Sequence, residues 1–313
     1  RFLLLDFADH ATDEERNRWT DFVMRFQQLT GPLMAKGSED TALYVYNRLL
    51  SLNEVGGAPD RFGASVEEFH DFNLRRLARW PHAMNATATH DTKRGEDARA
   101  RINVLSELPA EWEKNLRTWS RTNRAKKTKL RGAEAPDRND EYFLYQTLIG
   151  SYPLHQDQDG QFLERLTSYL IKAVREAKVH TEWLKPDGAY EQAFVDFARQ
   201  ILAPAASNRF MEEFLPFAKR IAYCGMFNSL SQTLLKIASP GVPDIYQGTE
   251  LWDLSFVDPD NRRPVDYAER RHLLEELKGA EVKDRPGLLR DLMSRWEDGR
   301  IKLYLIHKLL DFR

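Results

Sequence analysis

Cysteine is almost missing: Cys224 is alone among 313 residues, so no internal disulfide can form, and a reducing, cytoplasmic setting is expected. Long apolar runs are missing as well. None approaches the roughly 20 residues needed to cross a bilayer, which argues against a membrane role. The opening Arg1-Phe2-Leu3-Leu4-Leu5-Asp6-Phe7 is too short a patch for a signal peptide; with no initiator methionine, it reads as an interior point of a longer chain. Nor does one sign of charge prevail. With 46 basic and 48 acidic residues the net charge is −2, and nothing favours nucleic acid as a partner. No glycine-rich phosphate loop, paired CxxC, HExxH or GxSxG occurs, so no cofactor is implied. The eight histidines are scattered, and no two stand at ligand spacing near a carboxylate or cysteine; no metal site is expected.

What is present is a helix-rich globular pattern. A 42% hydrophobic share suffices for a real core in a chain this long. Thr12 with Glu15 forms a capping-box pattern ahead of Trp19, Phe22, Val23, Phe26 and Leu29, and Gly31-Pro32 predicts the stop. Ser65 with Glu68 repeats the device ahead of Phe69, Phe72 and Leu77, with Pro81 as the stop. Periodicity predicts further helices over roughly 94–107, 109–120, 139–150, 159–179, 187–202, 208–237, 266–278 and 299–312. Strand candidates are short: Leu33 to Lys36, Ala83 to Thr89 and Val242 to Tyr246. Three strands cannot close a sheet. Short strands alternating with long helices suggest βα units of an incomplete barrel, with the helical block from about 108 to 215 inserted. The basic run Arg121, Arg124, Lys126, Lys127, Lys129 and Arg131 reads as an exposed loop.

Three segments could carry chemistry. In the first, small and β-branched residues from Asn85 to Thr89 run directly into His90-Asp91-Thr92-Lys93-Arg94-Gly95-Glu96-Asp97. A strand end so dense in titratable groups suits a barrel rim, although His90 and Asp91 could equally cap the helix that follows. The second, Ser239 to Asp253, is a proline- and glycine-bounded strand ending in Tyr246, Gln247, Glu250, Trp252 and Asp253. Aromatics beside carboxylates and amides suit a sugar, whose C–H faces stack on rings and whose hydroxyls pair with polar groups. An ordinary strand-to-helix loop would read much the same. In the third, Gly31 to Leu50, Lys36, Glu39 and Asp40 could line a site, or the two carboxylates could simply sit at a helix start.

The wording of these segments is specific. GPLMAKGSEDTALYVYNRLLSLNEVGG (31–57), NATATHDTKRGEDARARINVLSELP (85–109) and SPGVPDIYQGTELWDLSFVDPDNRRPVD (239–266) resemble, in order and wording, the maltooligosyl trehalose synthases of the α-amylase family. A bare His-Asp would fit any amylase; HDTKRGED is much narrower. The resemblance covers most of the chain and implies the C-terminal portion of that enzyme. The expected fold is therefore mostly α with a few short strands: an incomplete C-terminal part of a (β/α)8 barrel with a large helical insertion. Its expected parts are late barrel βα units (1–107), a helical insertion (108–215), and a last βα unit with C-terminal helices (216–313).

The implied activity is conversion of the reducing-end α-1,4 bond of a maltooligosaccharide to an α,α-1,1 bond without a cofactor, by retaining double displacement with two carboxyl groups about 5 Å apart. By the same resemblance, Asp91 at the end of the seventh strand stabilises the transition state with His90 beside it. Lys93, Arg94, Asp97 and Lys36 are expected to bind substrate, and Tyr246, Gln247, Glu250 and Asp253 to lie near the rim of the eighth strand. The family's Gly-x-Arg-x-Asp nucleophile segment and its proton-donor Glu are not found. Both belong upstream, so the partner implied is the N-terminal barrel half of the same protein, and the chain alone is expected to be inactive. Rival readings are a non-catalytic carbohydrate-binding or helical scaffold module, and another amylase-family hydrolase. Against the hydrolase stands the crowded charged run Lys93 to Asp97, which suits holding a freed glucose while water is kept out.

Overall fold

A computed structural model describes residues 2–6, 11–153, 159–204 and 207–313; Arg1 and Phe7 of the apolar opening, and His10 and His155, lie outside the described residues. Both capping boxes form. Thr12 and Glu15 bond reciprocally at the start of α1 (Asp13–Pro32), and Ser65 and Glu68 do the same at α3 (Val66–Arg79). The stop expected at Gly31-Pro32 does not occur. Pro32 takes φ −60°, ψ −33°, an angle its ring accepts, and the chain winds on as a π-helical stretch, Leu33–Ala42, into the short α2 (Leu43–Val45). The strand predicted at Leu33 to Lys36 is thereby corrected. No strand neighbour adjoins it among the described residues, and an unpartnered strand would leave its N–H and C=O groups unpaired; helical turns satisfy them locally.

The two other predicted strands exist and are shorter than expected. β1 (Met84–Asn85) pairs in parallel with β4 (Val242–Pro243), Met84 opposite Val242 and Asn85 opposite Pro243. From β1 the chain turns into α4 (Glu96–Val104), which is buried on nearly every side. It packs on α6 (Arg138–Ser151) and on the long α9 (Arg209–Ala238). Between them lie α5 (Pro109–Asn123), α7 (Asp159–Ala177) and α8 (Gly188–Leu202). Their core centres on Trp119, fully buried, whose ring meets those of Trp112, Tyr145, Phe210, Phe214 and Phe217 at centroid distances of 5.6–5.9 Å, the edge-to-face range favoured by ring quadrupoles.

The basic run is not a loop. Arg121 lies on α5, Arg124 and Lys126 in a 3-10 turn, and Lys129 and Arg131 in a hairpin of β2 (Thr128–Leu130) and β3 (Ala133–Ala135), turned by Arg131 and Gly132 at φ 51° and 87°. Lys127 is buried there, its Nζ 2.8 Å from Glu141 Oε2. At the other end, α10 (Tyr267–Ser294) outruns the helix predicted over 266–278, breaking at Asp284 just before Pro286, and α11 (Arg300–Phe312) returns across α9 and α10. No described helix is long and apolar enough to cross a membrane.

Candidate active-site rim

Two loops meet where β1 and β4 end. In the first, the turn after β1, the Thr92 hydroxyl donates to Thr89 O at 3.0 Å and Asp91 N donates to Thr89 Oγ1 at 3.2 Å, so the chain reverses tightly and leaves His90 exposed and Asp91 half-buried. Side chains following β4 clamp that turn. Asn261 Nδ2 donates to Thr89 O and His90 O at 3.3 and 3.2 Å, and Arg262 Nη2 donates to His90 O at 3.3 Å. Gly95 N donates to Ser255 O at 2.8 Å. Only glycine permits this approach, because a Cβ at residue 95 would lie 2.5 Å from Asp253 O.

Lys93 Nζ lies 2.7 Å from Asp40 Oδ1, and its backbone N–H donates to Glu54 Oε1 at 2.7 Å. Asp40 also accepts a short bond from Lys36. Burial pushes the Asp40 carboxyl up, but the bonds from Lys36 and Lys93 outweigh it and hold it below the usual range. The hydrogen bond and charge of Asp40 in turn hold the Lys36 ammonium above its usual range, with smaller attractions from Glu176 and Asp91. The π-helical segment thus brings Lys36 to the same rim as Asp91.

Below the rim, the predicted residues meet protein. Lys93, Arg94 and Asp97 are each 2% exposed. The Arg94 guanidinium donates to Tyr169 Oη at 2.9 Å and lies over the Phe143 ring, 5.5 Å from its centroid. Asp97 Oδ2 accepts from Asp253 N at 2.6 Å and from Lys302 Nζ at 2.8 Å. Glu96, beside it, accepts from Lys302 Nζ at 2.7 Å and from Thr87. Burial pushes the Glu96 carboxyl up, yet Lys302 and Lys236 prevail and hold it down to about 2. For Asp97 burial wins, and its carboxyl is raised. On the second loop, Tyr246 Oη donates to Asn261 O at 3.1 Å, Glu250 pairs with Arg270 at 3.0 Å, Asp253 is half-buried and Gln247 is exposed. Of the expected site residues, Lys36, His90 and Gln247 are exposed and Asp91, Tyr246, Glu250 and Asp253 half-buried.

Over 261 residues the chain is 42% identical to a Mycobacterium tuberculosis protein named as a maltooligosyl trehalose synthase, a match spanning 83% of this chain and 32% of that one. It is a relative of the maltooligosyl trehalose synthases. A solved maltooligosyl trehalose synthase superposes with a TM-score of 0.80 at 36% identity, covering 97% of this chain and 39% of the other; that from Arthrobacter ramosus gives 0.79 at 36%, covering 97% and 35%. A solved glycosyltrehalose synthase gives 0.77 at 39%, covering 98% and 39%. The chain thus spans about a third of the length of the curated relatives it matches, and no family model matches it. The mostly helical architecture with few strands is shared with the matched part of those structures.

Sequence reasoning missed Lys302, a lysine in an amphipathic helix whose carboxylate partners stand more than 200 positions away. Asn261 and Arg262 lay inside the 239–266 segment without being singled out. It also missed one histidine grouping: His180, Asp137 and Asp140 offer ligand atoms within 4.8 Å of one another. Those atoms already serve the protein. Asp137 Oδ1 caps α6 through Asp140 N at 2.8 Å, Asp137 Oδ2 meets His180 Nε2 at 2.8 Å, and Asp140 accepts from Tyr190 Oη.

Proposed function

We propose that this chain supplies one rim of the active site of an intramolecular transglucosidase that converts the reducing-end α-1,4 bond of a maltooligosaccharide to an α,α-1,1 bond. The observation that carries the reading is the meeting of the His90-Asp91 turn with Asn261 and Arg262, the former also held by Tyr246, beyond the ends of two adjacent parallel strands, in a chain 42% identical to a relative so named. In an α-amylase-type (β/α)8 barrel, β1 and β4 take the places of strands seven and eight, residues 1–107 and 216–313 belong to the barrel and its C-terminal helices, and 108–215 form the helical insertion. Sites in barrels gather at this strand end.

Asp91 is then the carboxylate that stabilises an oxocarbenium-like transition state. Half-buried, it acts on developing positive charge with less screening than bulk water would impose. His90, Lys36, Tyr246 and Gln247 border the sugar, while Lys93, Arg94, Asp97, Glu250 and Asp253 hold the rim from beneath and beside it. The nucleophile and the acid/base group come from upstream sequence, so this chain alone turns over no substrate. The test is incubation with maltopentaose, assayed for a non-reducing α,α-1,1 product and for reducing ends. The chain extended upstream to its relatives' length isomerises; the present chain does not; Asp91→Asn in the extended chain lowers the rate about 10²-fold or more. An extended chain that only binds or only hydrolyses defeats the reading.

A further inference from the structure

We infer that Lys302 is a positioning residue, one buried cation that fixes the His90-Asp91 turn and the loop after β4 relative to each other. The inference rests on the transglucosidase reading for its effect on rate, and on geometry alone for its effect on structure. Lys302 is fully buried on α11. Its ammonium meets Glu96 Oε1 at 2.7 Å, Asp97 Oδ2 at 2.8 Å and Leu251 O at 3.4 Å, and it lies 5.9 Å from the centre of the Trp252 ring. Each partner leads to the rim. Glu96 accepts from Thr87, where β1 leaves the sheet, and Lys236 Nζ donates to the same hydroxyl at 2.8 Å. Asp97 receives Asp253 N, the backbone of the β4 loop.

Two carboxylates and two ammonium groups therefore balance inside the protein, and Lys302 alone touches both carboxylates. Three N–H donors on one compact ammonium let it bond to two carboxylates and a carbonyl at once, which a planar guanidinium forks differently. Removing it leaves Asp97 buried without its bonded ammonium and Glu96 with Lys236 alone, 3.6 Å away. Thr87 is three residues before His90 and Glu96 five residues after Asp91, so the turn is pinned at both ends from the same point. Displacing catalytic groups by about 1 Å can cost 10²-fold in rate.

The experiment uses the upstream-extended chain carrying Lys302→Arg, Lys302→Met, or Lys302→Met combined with Asp97→Asn, which removes one charge of each sign and keeps the Glu96–Lys236 pair so that folding is preserved. Two readouts are taken. Amide exchange of Gly95 and Asp253 is expected to accelerate at least tenfold in the double variant while α7 and α8 stay protected. The kcat for isomerisation is expected to fall about 10–100-fold with KM nearly unchanged, and Lys302→Arg is expected to recover only part of it. Unchanged exchange at Gly95 and Asp253 in the double variant overturns the inference, as does full kcat. If exchange accelerates while the unmutated extended chain shows no isomerisation, Lys302 stands as the fastener of the rim and the transglucosidase reading falls.

Discussion

Asp140 carries a carboxyl that burial pushes up to about 6, even though the Tyr190 hydroxyl bonds to it and lowers it in part. Because the folded protein holds this proton more tightly than the unfolded chain, its contribution is intact below about pH 4 and is lost as the pH climbs through 6. Relative to Asp140→Asn, the unmutated protein should lose up to about 3 kcal/mol of stability between pH 4 and 7. Urea midpoints of the two across that range check the sign; parallel curves refute it. Residues such as His90, Asp91 and Lys93 were legible in the sequence because titratable groups crowd directly behind a small apolar run. Their division into exposed His90 and buried Lys93 was not, because it depends on Asp40 and Glu54, which stand 53 and 39 positions earlier.

The helices announced themselves through their caps and apolar spacing, and the hairpin did not. β2 and β3 are three residues each, Thr-Lys-Leu and Ala-Glu-Ala, too short for alternation to show, and the basic residues just before them, among them Lys127 with its side chain buried against Glu141, read as a solvated loop. The Arg131-Gly132 pair was the available signal, since a tight hairpin turn needs positive φ at both central residues. Gly132 stands at φ 87° with open space around it. Gly132→Ala should therefore cost about 1 kcal/mol purely through backbone strain, measurable by chemical denaturation, and Gly132→Asn less. The predicted strand at Leu33 to Lys36 misled for the opposite reason. Leu33, Met34, Ala35 and Lys36 are all strong helix formers, and extension is stable only beside a neighbour strand, which is a property of the tertiary fold.

Taken whole, the molecule is well packed around Trp119 and open around β1 and β4. Phe22 is 53% exposed, Leu29 65%, Trp80 52% and Met84 64%, and the two-stranded parallel pair has no further strand beside it among the described residues. Bare parallel edges and apolar surface of this extent invite pairing between chains. The 313-residue chain should self-associate with rising concentration in analytical ultracentrifugation, and the upstream-extended chain should not; a strictly monomeric short chain would contradict this. The Lys302 contacts have a consequence in time as well as in space. Glu96 and Asp97 leave the ribosome some 205 residues before the lysine that neutralises them, which at about 5–20 residues per second is an interval of roughly 10–40 s. Until α11 arrives, Glu96 and Asp97 lack the ammonium that joins them, so the rim should take its final shape only once α11 has been made.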